Sequence, residues 1–397
     1  MSAADRTPEP IPELEVDEAR LRAGTGVKWR AVDPDVLPAW VADMDFPVAD
    51  VVRAALRTAV DTSDLGYPYR PDGDPVLAAF EQRMRTRYGW SPEPGCARTF
   101  TDLIQVLQVI IEQTTRPGDG IALHVPSYPP FLAAIERAGR RIVPLPVVDT
   151  PGGWDLDVTG TADRLAAQGV RMLVVVNPHN PTGRVLTRAE LGALADVAAE
   201  LDLVVLSDEI HADLVYDGRR HVPFASLSGD AASRTITATS ATKAFSIAGL
   251  RCAVAHVGPA AVRERLAAAP LDYFGAPSVL GIRATVAAWQ LGDAWLDAVV
   301  ARLQANRDRV VAWASATPGV RVHSPEGTYL AWLDLSRTAL PPDDPAAEIL
   351  RRGRVLLNAG AEFAQHTPVT TASYARLNFA TGPQILERVL DRVAGAL

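Results

Sequence analysis

Lysine is almost missing from this chain of 397 residues: of its 39 basic side chains only Lys28 and Lys243 are lysine, and the rest are arginine. A guanidinium serves solvation and ion pairing as well as an ammonium does, but it stays protonated and cannot act as an amine nucleophile. Each surviving lysine is therefore a candidate for amine chemistry. Cysteine is scarce too. Cys96 and Cys252 stand far apart with no metal-ligand spacing, which excludes a disulfide framework and a cysteine zinc site. No apolar run approaches the ~18 residues that a membrane span needs, so no membrane partner is expected. Excess positive charge is also lacking. A net charge of -8 offers nucleic acid no electrostatic footprint, and small molecules are the expected ligands. The opening stretch MSAADRTPEPIPELE has neither the basic segment nor the apolar core of a secretory signal, and a cytoplasmic location is expected.

What the chain does have is alternation. Residues 1–45 are rich in Pro, Asp and Glu and read as an arm that ends in the distinctive stretch WVADMDF, from Trp40 to Phe46. Beyond it, near-continuous apolar runs predict buried strands at 121–125, 142–147, 172–177, 203–207, 235–239 and 252–257. Helical patterns lie between several of them, at 130–138 and at 187–201, where Thr187 and Glu190 form a capping box. Strand and helix in alternation imply an α/β fold with a mainly parallel sheet flanked by helices. A long amphipathic stretch over 293–314 and short strands near 330–334 and 376–379 read as a smaller α/β domain. The expected organisation is an N-terminal arm over 1–45 belonging to the small domain, a large domain over 46–290 and a small C-terminal domain over 291–397.

Three segments carry chemistry. In SATKAFSIAGLR, Lys243 follows a predicted strand, with Ser240 before it and Arg251 eight residues after it. A nucleophilic amine is thus combined with groups suited to a phosphate, at the strand end where open α/β sheets bind ligands. The strand at 203–207 runs into Asp208-Glu209-Ile210-His211, and a carboxylate buried there calls for a cation such as a protonated pyridine nitrogen. The plainer role for Asp208, capping the next segment, stays open on spacing alone. The strand at 172–177 runs into NPHNPTGR, where two prolines and Gly183 hold the turn that presents Asn180.

NPHNPTGR, DEIH and SATKAF, in that order and with the arginine beyond, resemble fold-type I pyridoxal-phosphate enzymes of the class I/II aminotransferase superfamily. WVADMDF, LGYPYRP, DEIHADLVYDG and APSVLGI resemble its MalY/PatB branch of carbon-sulfur lyases, typified by cystathionine β-lyase. The resemblance implies that Lys243 holds pyridoxal 5'-phosphate as a Schiff base and that Asp208 pairs with the pyridinium nitrogen. It also implies that Asn180 and His211 lie near the ring oxygen and that Tyr128 stacks on the ring. Ser240, Arg251 and the backbone amides of Asp102 and Leu103 would bind the phosphate, and Tyr67 would reach it from the other subunit of a homodimer. Arg376 would grip the carboxylate of an amino-acid substrate. Two positions depart from the pattern: Asp102 stands where a small residue such as glycine is expected, and Arg251 is typical of the aminotransferases.

The branch-specific segments favour β-elimination of a cysteine S-conjugate, with a conjugate larger than cystathionine as a variant. Transamination begins with the same loss of the α-proton and is the alternative. A regulatory protein on a degenerate scaffold is a third reading, opposed by the intact Lys243, Asp208 and Asn180.

Overall fold

The computed structural model describes residues 14–71, 73–156, 158–270 and 273–397, so residues 1–13 of the expected arm lie outside it. Its central sheet has seven strands: β1 (Ala97–Phe100), β2 (Gly120–Val125), β3 (Arg141–Pro146), β4 (Val170–Val176), β5 (Val204–Asp208), β6 (Thr235–Thr239) and β7 (Ala253–Val257). Their order in space is β1-β7-β6-β5-β4-β2-β3. The run from β3 through β6 is parallel, and β7 lies antiparallel to both β6 and β1. All six strands expected from apolar runs are present, with ends shifted by a residue or two. The seventh, β1, buries only Phe100 fully and has no apolar run to announce it.

Both faces of the sheet are covered, which is why the strands read as continuous apolar runs. Along β4, Met172, Val174 and Val176 join one core, where they meet helix α1 (Leu103–Thr114). Leu173 and Val175 point the other way, into a core shared with helix α2 (Arg188–Glu200). The period of two thus divides a single strand between two layers. Helix α2 begins with the expected capping box: the Thr187 hydroxyl accepts from the Glu190 amide, and the Glu190 carboxylate accepts from the Thr187 amide at 2.7 Å. Between β6 and β7 the chain holds only the one-turn helix α3 (Ala241–Ala244) and a short 3-10 turn, so it folds back instead of crossing over.

The C-terminal part contains the long helix α4 (Asp293–Ala316), the terminal helix α5 (Pro383–Ala396) and a small antiparallel sheet. That sheet is built from β8 (Leu330–Asp334), β9 (Asn358–Ala359) and β10 (Tyr374–Asn378), with β10 in the middle. The N-terminal stretch is joined to this part. Leu37–Pro38 pairs in parallel with Val355–Leu356, and Leu37, Met44 and Phe46 enter the same core as Leu333, Leu377 and Val389.

Lys28 belongs to this junction and lies 3 % exposed. Its ammonium meets the Asp45 carboxylate at 2.9 Å and donates to the Asp43 carbonyl at 3.2 Å. The second Asp45 oxygen accepts from the Trp29 indole at 2.7 Å. One of the two lysines therefore has a structural partner that accounts for it. Cys96 and Cys252 are both free and buried.

Candidate active site

A cavity of about 580 Å³ opens at the carboxyl ends of β4, β5 and β6, with Val176, Asp208 and Ser240 in its wall. Of the residues singled out in the sequence, Lys243, Asn180, His211, Tyr128, Arg251, Asp102 and Leu103 line it as well. Arg376 stands directly behind Asn180. Tyr67 does not face this chain's cavity. It is fully exposed on another surface, in a cleft that it shares with Tyr69 and Arg283.

Lys243 sits in α3, just past the end of β6, and its Nζ donates to the Ala42 carbonyl at 2.5 Å. Burial, reinforced by the Arg376 charge, holds its pKa below the ordinary lysine value, although the Asp43 and Asp208 carboxylates oppose the shift. The amine is thus easier to deprotonate than an exposed lysine. Asp208 ends β5. Burial pushes its pKa up to about 7, and the Ile210 amide, donating to Oδ1 at 3.0 Å, only partly offsets this. That amide bond is the capping role expected as the plain reading, yet Asp208 also faces the cavity. A carboxylate so desolvated gains most from a cation brought next to it.

The turn at 178–184 requires glycine at one position. Gly183 has φ +73, and a Cβ there would stand 2.6 Å from Pro325. The turn presents Asn180, whose Oδ1 accepts from Arg376 Nη1 at 3.0 Å, leaving the amide N–H groups to donate elsewhere. His211 is buried and held neutral, its pKa pulled down to about 3 by burial and by the charges of Lys243 and Arg376. Its Nδ1 has no partner among the described residues, and its ring meets Tyr329 edge-on at 5.6 Å. Tyr128 is largely buried, and burial raises its pKa above the usual phenol value.

Arg376 has an unusual setting for a guanidinium. It is 3 % exposed, lies over the Phe363 ring at 4.8 Å, and donates only to neutral oxygens: Asn180 Oδ1, the Trp40 carbonyl at 3.0 Å and Asn358 Oδ1 at 2.6 Å. Its Nε is unpartnered, and no carboxylate pairs with it among the described residues. Burial lowers its pKa to about 10. A buried cation without an anion is costly, and a ligand carboxylate would offset that cost.

At the other end of the cavity, Ser240 caps α3, accepting from the Thr242 amide at 3.1 Å and donating to the Cys252 carbonyl at 2.6 Å. Asp102 caps α1 through Oδ1, which accepts from the Gln105 amide at 2.9 Å, while Oδ2 is ion-paired with Arg251. The helix start expected at Asp102 and Leu103 is therefore there, but its carboxylate is turned onto the arginine.

Sequence reasoning missed the part played by backbone. The segment 40–44 has no regular structure, and each of its carbonyls accepts from a side chain. Arg376 donates to Trp40, Asn378 to Val41, and Lys243 and Tyr329 to Ala42. Lys28 and Asn378 donate to Asp43, and Ser246 donates to Met44. One strap thus receives bonds from both Lys243 and Arg376. The stretch WVADMDF marks it in the sequence, but nothing in the sequence marks Tyr329 or Asn358.

Comparison with known proteins identifies the family. Residues 45–393 match the family model for aminotransferase class I and II. The cystathionine β-lyase of Corynebacterium glutamicum is 35 % identical, over 98 % of this chain and all of that protein. Cystathionine β-lyase PatB of Bacillus subtilis is 30 % identical, over 97 % of this chain and all of that protein. Among solved structures, the PLP-bound C-S lyase from Staphylococcus hominis superposes with a TM-score of 0.88 at 26 % identity, covering 97 % of this chain and 98 % of that one. The chain belongs to the class I and II aminotransferase family, on the branch that holds cystathionine β-lyase and PatB.

Proposed function

We propose that this protein is a pyridoxal-phosphate-dependent carbon-sulfur lyase that converts a cysteine S-conjugate of the cystathionine type to a thiol, pyruvate and ammonia. The observation that carries the reading is the pairing of a buried amine with a desolvated carboxylate, Lys243 and Asp208, in the wall of one cavity. The unmatched groups around it fit the cofactor: among the described residues Asp208 has no ion-pair partner and His211 Nδ1 no hydrogen-bond partner. When bound, pyridoxal phosphate supplies the electron sink that stabilises the negative charge left on Cα.

The chain's own residues supply the rest. Lys243, with its lowered pKa, would hold the cofactor through its amine and serve as the base for the substrate α-proton, a role typically worth about 10²- to 10⁴-fold. Asp208 would keep a proton on the ring nitrogen. Asn180 would donate to the ring oxygen beside neutral His211, and Tyr128 would cover the ring. Ser240, Arg251 and the amides of Asp102 and Leu103 would receive the phosphate. Arg376 takes the substrate carboxylate as a fork and so fixes which bond to Cα lies in line for cleavage. Loss of the α-proton and of the Cβ–S thiolate leaves an enamine that water hydrolyses to pyruvate and ammonia.

Elimination is favoured over transamination by the relatives, whose names are cystathionine β-lyase and C-S lyase. The test is to mix holoenzyme with L-cystathionine in the absence of any keto acid. Catalytic pyruvate is expected. A single equivalent of pyridoxamine phosphate, with turnover only after a keto acid is added, would assign transamination instead.

The exposed Tyr67 and Tyr69 support a homodimer in which Tyr67 reaches the phosphate site of the second copy. Sedimentation of the holoenzyme checks this. The two free cysteines suit the reducing cytoplasm, which we take as the compartment. We also divide the chain as an arm over 1–45, a large cofactor-binding domain over 46–290 and a small domain over 291–397. The central sheet at 97–257 and the small sheet at 330–378 support that division.

A further inference from the structure

We propose that Asp102 competes with the cofactor phosphate for Arg251, so that this one carboxylate sets how tightly the cavity holds its cofactor. The inference rests on the reading of the cavity as a pyridoxal-phosphate site. Arg251 is a cation on the side of the cavity lined by Ser240 and Thr242, and the backbone at Arg251 takes a left-handed conformation, φ +50, that a non-glycine residue rarely adopts. Its guanidinium is already engaged by Asp102 Oδ2.

Asp102 is not free to leave. Oδ1 caps α1 through the Gln105 amide at 2.9 Å, and Oδ2 also accepts from the Thr101 hydroxyl at 3.2 Å. The carboxylate therefore stays in the cavity wall when a phosphate arrives, and two anions share one cation. The ion pair itself is partly open to water, with the Arg251 side chain 63 % exposed and that of Asp102 24 %. Solvent screens both the attraction and the repulsion, so the expected effect of the charge is on the order of tenfold in affinity, not thousands. If Asp102 instead serves to aim Arg251 at the phosphate, its removal acts in the opposite direction.

The experiment is a titration of the full-length, cofactor-stripped chain with pyridoxal phosphate and, separately, with pyridoxal, which lacks the phosphate. The readout is the visible absorption band that borohydride abolishes. Asp102→Asn and Asp102→Ser both keep a good helix cap, and thermal melts check that each variant folds. The expected result is about tenfold tighter pyridoxal phosphate in both variants with pyridoxal unchanged, and a larger penalty for Arg251→Gln in the Asp102→Asn background than in the parent. Weaker pyridoxal phosphate, or equal shifts for the two aldehydes, overturns the competition. A chain that gives no band with either aldehyde overturns the cofactor reading itself, and this inference with it.

Discussion

Changing Arg376 to lysine keeps the positive charge and removes the fork, so it isolates what the planar guanidinium contributes. In the structure the guanidinium spreads its donors over Asn180 Oδ1, Asn358 Oδ1 and the Trp40 carbonyl, three acceptors on three different segments. An ammonium is a compact point on a shorter reach and cannot bridge all three while facing a ligand. Hydrogen bonds to charged groups are worth about 1.5–3 kcal/mol, so loss of bidentate recognition lowers kcat/KM by about ten- to over a hundredfold. Because the fork both binds the carboxylate and aligns the bond to be cleaved, the loss falls on KM and on kcat together. The assay is steady-state pyruvate release from L-cystathionine, with inhibition by L-serine and by ethanolamine, its decarboxylated counterpart, as the internal control. Serine should weaken in parallel with the substrate and ethanolamine should not change. A kcat/KM within threefold of the parent, or equal weakening of the two inhibitors, would refute the assignment of Arg376 to the carboxylate.

Lys28→Met leaves the Asp45 carboxylate buried with only the Trp29 indole, and breaking such a pair from one side costs about 3–5 kcal/mol. Denaturant titration should show that loss, and adding Asp45→Asn should recover part of it; a strictly additive double variant would refute the pairing. His124, His179 and His211 are held neutral by burial, with pKa values of about 4, 3 and 3. Their contribution is complete above pH ~6.5 and is lost as pH falls from there through the folded values, so the urea midpoint should drop steadily across that window. Asp208 has the opposite sign. With its pKa raised from the ordinary carboxylate value of about 4 to about 7, its contribution to the cofactor-free protein should be lost as pH rises from about 4 to about 7 and level off above, read as the difference in urea midpoint between the parent and Asp208→Asn; bound cofactor should remove the same loss by supplying the cation.

The features legible in the sequence are those that side-chain identity encodes. Strands β2 and β4 to β7 showed as apolar runs because both of their faces are covered, edge strand β3 showed through Ile142, Val143 and Leu145, and the capping box at Thr187 and Glu190 named the start of α2. The direction of β7 was not legible, since a run buried on both faces reads the same parallel or antiparallel. Strand β1 stayed hidden because Ala97, Arg98 and Thr99 are only half-buried on the short edge. Asn180, Asp208 and Lys243 stood out because each closes a strand with an unusual motif. The strap at 40–44 acts through carbonyl groups, which every residue has, so its sequence could look distinctive without disclosing what it holds. Tyr329, just before β8, and Asn358, in β9, lie far along the chain, and only folding brings them to the site.

The scarcity of lysine makes the most direct test unusually clean. Holoenzyme reduced with borohydride, digested and mapped by mass spectrometry has two side-chain amines at which the cofactor can be trapped, Lys243 and Lys28. The account predicts the pyridoxyl group on Lys243 alone, with Lys28 unmodified in its buried pair with Asp45. Label on Lys28, or no side-chain label in protein that still turns over, would contradict it.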